Sequence, residues 1–226
     1  MKRIKINIDG IDYDESYIIT LKTHRAVFAD APSIGNCFVG ELTATFLLDK
    51  DAFPRNAKVI PYVSTNGSTW TKKSEYYVYS RQADHDAGTV SIAAYDAIYK
   101  AEVPFIVPGE NIGTWPRKVR AVMSEIASRT GTQIETASYN ALSAAYEIAF
   151  PGVVITGESD TEYHADNATT MREIAGYVAS MHAGNWIIAN SGKWKLIQLG
   201  DVPPVTNYLV TEGRAAITIG GDRILV

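Results

Sequence analysis

The chain has 226 residues, enough for one large domain or two small ones with a well-buried core. It is 46% hydrophobic and 20% charged, and a formal net charge of -4 gives no electrostatic reason to expect nucleic acid or an anionic membrane as partner. A single cysteine, Cys37, excludes an intrachain disulfide and a cysteine-based metal site, and reads as a small, partly buried apolar residue.

The first hundred residues follow a two-residue period. Residues 2–8 alternate charge with Ile4, Ile6 and Ile8, with no apolar run of a signal peptide, which implies synthesis in the cytoplasm. Strands are expected at 17–21, at 41–48 with Leu42, Ala44, Phe46 and Leu48 on one face, and at 59–63, 76–80 and 89–95. Asp9-Gly10, Gly35-Asn36, Asn66-Gly67 and Ala87-Gly88 supply turns, because these residues tolerate positive φ. Short strands at this spacing argue for a barrel or sandwich. Tyrosine, at 13 residues, leans the same way and toward contact surfaces.

The period changes near Pro104. Residues 117–129 place Val119, Val122, Met123 and Ile126 on one helical stripe, with Gly131 at the stop. Thr170-Met171-Arg172-Glu173 has capping-box spacing and opens a second helix whose stripe is Met171, Ile174, Ala175, Val178 and His182. A β-hairpin follows, with strands at 185–189 and 194–199 around Asn190-Ser191-Gly192. Beyond Pro203-Pro204, residues 208–210 and 215–219 read as strands again. The fold class is therefore α+β, mainly β. A β-barrel in 1–104 is interrupted by a small α+β domain in 105–201 and completed by returning strands in 202–226. The longest uncharged stretch, 174–192, is broken by polar residues and glycines and is no membrane span.

The residues that carry chemistry are sparse. His24, His85, His164 and His182 form no metal-binding spacing, and Asp84-His85-Asp86 lacks the distal glutamate of a calcium loop, so it reads as a polar hairpin turn. Gly152-Val153-Val154-Ile155-Thr156-Gly157 lacks the Lys-Ser/Thr of a phosphate loop and reads as a strand. Glu158, Asp160 and Glu162 could form a carboxylate pair but read as a solvated loop, without a neighbouring base or electrophile. Trp70, Trp115, Trp186 and Trp194 are candidates for a sugar-stacking face, against the simpler reading of core and cross-strand packing. No catalytic, cofactor or metal residue is assigned, and no enzyme activity is expected.

Several stretches resemble tail proteins encoded in Firmicute phages and prophages. They are Ser33-Ile34-Gly35-Asn36, Glu41-Leu42-Thr43-Ala44-Thr45-Phe46 and Pro54-Arg55-Asn56-Ala57-Lys58-Val59. Further on come Gly88-Thr89-Val90-Ser91-Ile92-Ala93-Ala94-Tyr95-Asp96-Ala97 with Lys100-Ala101-Glu102, and Thr170-Met171-Arg172-Glu173-Ile174-Ala175-Gly176-Tyr177 with Gly184-Asn185-Trp186-Ile187-Ile188. The resemblance covers about residues 30 to 226, and none of its motifs is catalytic.

In that family the segments belong to a baseplate hub similar to that of contractile-tailed phages. The resemblance implies a tube-type barrel interrupted by an α+β domain, and a homotrimer of two-barrel chains forming a pseudo-six-fold ring, for which the strands around 76–79 and 42–48 are the expected edge contacts. It further implies contacts to the tail tube or distal tail protein and to a spike or tip protein, with DNA passing unread through a central channel. The family's proteins are longer, so this chain is expected to be a piece of one or a shorter homologue. Its place would be the virion tail baseplate, assembled in the host cytoplasm. Two alternatives stay open: a carbohydrate- or cell-wall-binding module, and the N-terminal hub part of a tail-associated lysin.

Overall fold

The computed structural model describes residues 3–27, 33–48, 53–151, 154–156, 163–165, 168–198, 218–219 and 222–223. The alternating segments form β1 (Arg3–Ile8), β2 (Ile11–Tyr13), β3 (Ile18–His24), β4 (Glu41–Leu47), β5 (Lys58–Ser64), β6 (Thr71–Lys72), β7 (Tyr76–Asp84) and β8 (Thr89–Tyr95). They make one antiparallel sheet of eight strands in the order β2-β1-β5-β7-β8-β4-β3, with β6 added to β5. Asp9 (φ 47) and Gly10 (φ 90) form the two-residue turn between β1 and β2.

Register follows from alternation. Leu42, Ala44 and Phe46 oppose Ala94, Ile92 and Val90, and all six are buried. Phe46 also meets Tyr13 and Phe53 edge-on at 5.6 and 5.3 Å between ring centroids. Burying one such ring contributes about 1.5–3 kcal/mol. The Tyr13 contact has a topological consequence, because β2 is one edge of the sheet while β4 lies next to the other edge. The sheet is therefore curled. One turn leads from β2 into β3, closed by Ile18 N–H donating to Asp14 O at 3.2 Å. No ladder joins β2 to β3 among the described residues. Strands 76–79 and 42–48, which the barrel-ring reading would place at exposed edges, are interior, because β7 lies between β5 and β8 and β4 between β8 and β3.

The second unit begins with a 3-10 helix (Ala97–Glu102) and includes β9 (Arg117–Lys118), α1 (Val119–Arg129), α2 (Thr136–Ala141), β10 (Glu147–Ile148), β11 (Val154–Thr156) and β12 (Tyr163–Ala165). It continues through α3 (Met171–Met181) to the hairpin β13 (Gly184–Ile188) and β14 (Trp194–Gln198). Helix α1 starts two residues later than its pattern suggests, because 117–118 pair with β10. Its stripe Val119, Val122, Met123 and Ile126 is fully buried. At α3 the capping box is complete: Glu173 N–H donates to Thr170 Oγ1 at 3.1 Å, and Thr170 N–H to Glu173 Oε2 at 2.7 Å. Met171, Ile174, Ala175 and Val178 join the core of this unit with Trp186 and Trp194.

The returning strands lie largely outside the described residues. The strand expected at 208–210 is outside them, and of 215–219 only β15 (Thr218–Ile219) is described, paired with β16 (Asp222–Arg223).

Candidate functional site: the junction and an exposed tyrosine ridge

The two units are joined by backbone. Residues 35–38 leave the sheet and run parallel along β13: Gly35 N–H donates to Gly184 O at 2.9 Å, Trp186 N–H to Asn36 O at 2.8 Å, and Phe38 N–H to Trp186 O at 3.1 Å. The segment can reach this position because α3 carries Gly176 beneath it. A Cβ there would stand 2.6 Å from Gly35 O. Asn185, buried, ties the segment from the other side: its Oδ1 accepts from Asn36 N at 2.9 Å, and its Nδ2 donates to Val27 O and Ser33 O at 2.9 and 2.7 Å. A side-chain amide suits this place because it carries both an acceptor and two donors.

A second tie holds the hairpin turn 190–192. Arg25 donates to Asn190 Oδ1 and Lys73 O, both at 3.3 Å, and Lys72 Nζ to Ser191 O at 3.1 Å. Lys72 also pairs with Glu75, whose other oxygen faces Lys58 Nζ at 3.2 Å.

Asp96 lies between the units, at the end of β8 and the start of the 3-10 helix, and is 1% exposed. Its carboxylate accepts from Gly40 N at 2.7 Å and Ile98 N at 3.0 Å. Burial pushes its pKa up to about 7, against the lowering effect of those two amides and of Arg25 and Arg172. Cys37 is buried beside this junction, and desolvation raises its thiol pKa.

On the outer face of the sheet, next to the junction, three tyrosines cluster. Tyr79, Tyr95 and Tyr99 have ring centroids 5.1–5.3 Å apart. A β-bulge between Val78 and Ser80 leaves Tyr79 unopposed and 50% exposed, and Tyr99 is 37% exposed. Depressions of about 540 and 450 Å³ flank this ridge. The first is lined by Arg55, Asn56, Ser80 and Arg81 beside Tyr79 and Tyr99, and the second includes His24, Phe38, Glu41 and Arg172.

The residues singled out from the sequence go elsewhere. Asp84-His85-Asp86 forms the turn between β7 and β8, where Ala87 N–H donates to Asp84 Oδ1 at 3.0 Å. Among the described residues no group of three or more His, Cys, Asp or Glu side chains is placed to hold a metal ion. Residues 154–156 form a strand as expected, while Glu158, Asp160 and Glu162 lie outside the described residues. Trp186 and Trp194 are 0% exposed, 6.0 Å apart edge-on, and donate to Ala175 O and Thr130 Oγ1. They present no face to a sugar. Trp70 lies under Lys5, and Trp115 packs between Phe105 and Phe150. The tyrosine ridge was not assembled from the sequence. The sequence places Tyr76, Tyr77 and Tyr79 on alternating faces of one strand, but the bulge that leaves Tyr79 unopposed beside Tyr95 has no local signature.

No family model and no curated protein matches the sequence. Among solved structures, the 43 kDa tail protein of prophage MuSo2 from Shewanella oneidensis matches over 88% of this chain, with a TM-score of 0.52 and 11% identity. The fold is similar to that of a prophage tail protein. At that coverage the likeness to the MuSo2 protein takes in both the sheet and the second unit. The match covers 56% of the MuSo2 protein, so this chain spans little more than half of its length.

Proposed function

We propose that this chain is a structural, non-enzymatic subunit of a phage or prophage tail. The observation that carries this reading is the fold likeness to the MuSo2 tail protein across both units. The finer assignment we propose is a baseplate hub adaptor between tail tube and tip or spike, working as a homotrimer around a channel through which DNA passes. The residues returning from 202 onward would complete the curled sheet as a closed barrel. Two features support a role in rigid assembly. The units are locked to each other by a parallel backbone ladder and a satisfied buried amide. Among the described residues the edges of the sheet, β2 and β3, have no further partner strand and sit at either end of one turn, where the returning residues of this chain or of a neighbouring copy would pair with them.

The test is to purify tail particles from a lysogen carrying the gene and identify their proteins by mass spectrometry, with light scattering on the full-length product. The chain is expected in stoichiometric amounts at the tail end, and the product is expected as a trimer. Absence from purified tails overturns the tail reading, and a monomer at tens of micromolar, roughly where standard interfaces form, overturns the hub assignment.

A further inference from the structure

We propose that the face formed by Arg55, Arg81, Tyr79 and Tyr99 is a docking surface for an extended acidic segment of a partner chain. The identity of that partner as another tail protein rests on the reading above, whereas its chemistry is set by side chains of this protein. Among the described residues, the lining of the depression beside the ridge includes two arginines and no carboxylate. None of the ion pairs among the described residues involves Arg55 or Arg81.

Both arginines are held in place by the fold. Arg81 donates through one nitrogen to Phe53 O at 2.6 Å and lines the depression. Arg55 is exposed on the tight turn before β5, where Asn56 has φ 60 and its N–H donates to Val78 O at 2.8 Å. A guanidinium fork matches a carboxylate through two parallel hydrogen bonds, so two forks on one rim call for carboxylates.

The ridge supplies the apolar half of the surface. Tyrosine and arginine are the residue types that carry most energy at protein interfaces, because they bury large area and keep a polar tip. Here the bulge leaves Tyr79 without a cross-strand partner, and its ring stands half exposed beside Tyr95 and Tyr99. An extended segment crossing the ridge would place carboxylates at Arg55 and Arg81 and apolar side chains on Tyr79 and Tyr99. A nucleic-acid strand fits less well. Its phosphates recur at every nucleotide and would run past the ridge to the Glu41 carboxylate, where Arg172 is already paired with Glu102, whereas a peptide needs carboxylates only at the two arginines.

The experiment measures binding of fluorescent probes to the full chain by anisotropy. The probes are an octapeptide alternating Glu and Val, an octapeptide alternating Lys and Val, and an eight-nucleotide oligothymidine. The Glu–Val peptide is expected to bind more tightly than both others. Arg55→Glu is expected to weaken it by about tenfold or more, the effect of losing a charge-assisted pair. Lys118→Glu, on β9 in the second unit, is expected to change it less than about twofold, because charges beyond a Debye length are screened. Among the described residues the exposed Arg55 side chain makes no hydrogen bond, so its variant stays informative even where Arg81→Glu does not fold. Failure of the Glu–Val peptide to bind at millimolar concentration, indifference to Arg55→Glu, or preference for the oligothymidine overturns the proposal. Since the assay uses the isolated chain, its outcome is separate from whether the protein is found in tails.

Discussion

The Asp96 carboxylate occupies the space that a side chain at position 40 would need. Gly40 N–H donates to Asp96 Oδ2 at 2.7 Å, and a Cβ on Gly40 would stand 2.6 Å from that same oxygen. Glycine at 40 and aspartate at 96 are thus one device, which pins the chain leaving residue 39 to the exit of β8. Asp96→Ala removes the acceptor of two amide donors and is expected to cost about 2–4 kcal/mol, with Gly40→Ala costing about 1–3 kcal/mol through overpacking. Urea denaturation of both variants measures this, and an unchanged midpoint for either would count against the pairing.

The same carboxylate gives a pH dependence. Burial raises its folded-state pKa from the usual carboxylate range to about 7, so the folded state holds the proton more tightly than the unfolded chain. The stability it contributes is full below about pH 4 and is lost as pH rises through about 7. The gap in melting temperature between the parent protein and Asp96→Ala should therefore be wider at pH 5 than at pH 8. A gap that widens toward pH 8 contradicts this sign.

Gly176 tests the backbone approach at α3. Replacing a helical glycine with alanine normally stabilises a helix by about 1 kcal/mol. Here the added methyl would press on Gly35 O, so Gly176→Ala is expected to destabilise by about 1–3 kcal/mol. The sign of the change in denaturation midpoint decides the matter.

Asn185→Ala would leave Asn36 N–H and two carbonyls without their partner. A loss of about 2–4 kcal/mol is expected, because buried groups are left unsatisfied. Hydrogen exchange should show amides at 35–38 losing protection before those of β4 and β8. Equal protection across the variant's sheet and junction would contradict the assigned tie.

Cys37 is buried, and desolvation raises its thiol pKa. In the native protein it is expected to react with a thiol-specific disulfide reagent at least about a hundredfold more slowly than after denaturation, since the thiolate is the reactive species and needs access. Prompt labelling of the folded chain would contradict this.

Local sequence determined what depends on neighbours along the chain. The alternation of Leu42, Ala44 and Phe46 and of Val90, Ile92 and Ala94 gave two strands with their inward faces. The α3 start was legible because a capping box is closed within three residues, and the hairpin after it because turn residues stand between two apolar runs. Tertiary structure decided the rest. Strand order, and with it the interior position of β4 and β7, depends on pairings between segments far apart in sequence, which no local period encodes. Elements of two or three residues such as β2, β6 and β10 are too short to show a period and exist because a neighbour supplies the other half of their ladder. The tyrosine ridge needed both a bulge in β7 and the packing of the 3-10 helix beside β8 to bring Tyr79, Tyr95 and Tyr99 together. Side chains from three segments become one surface only when the backbone hydrogen bonds between those segments have set their distance.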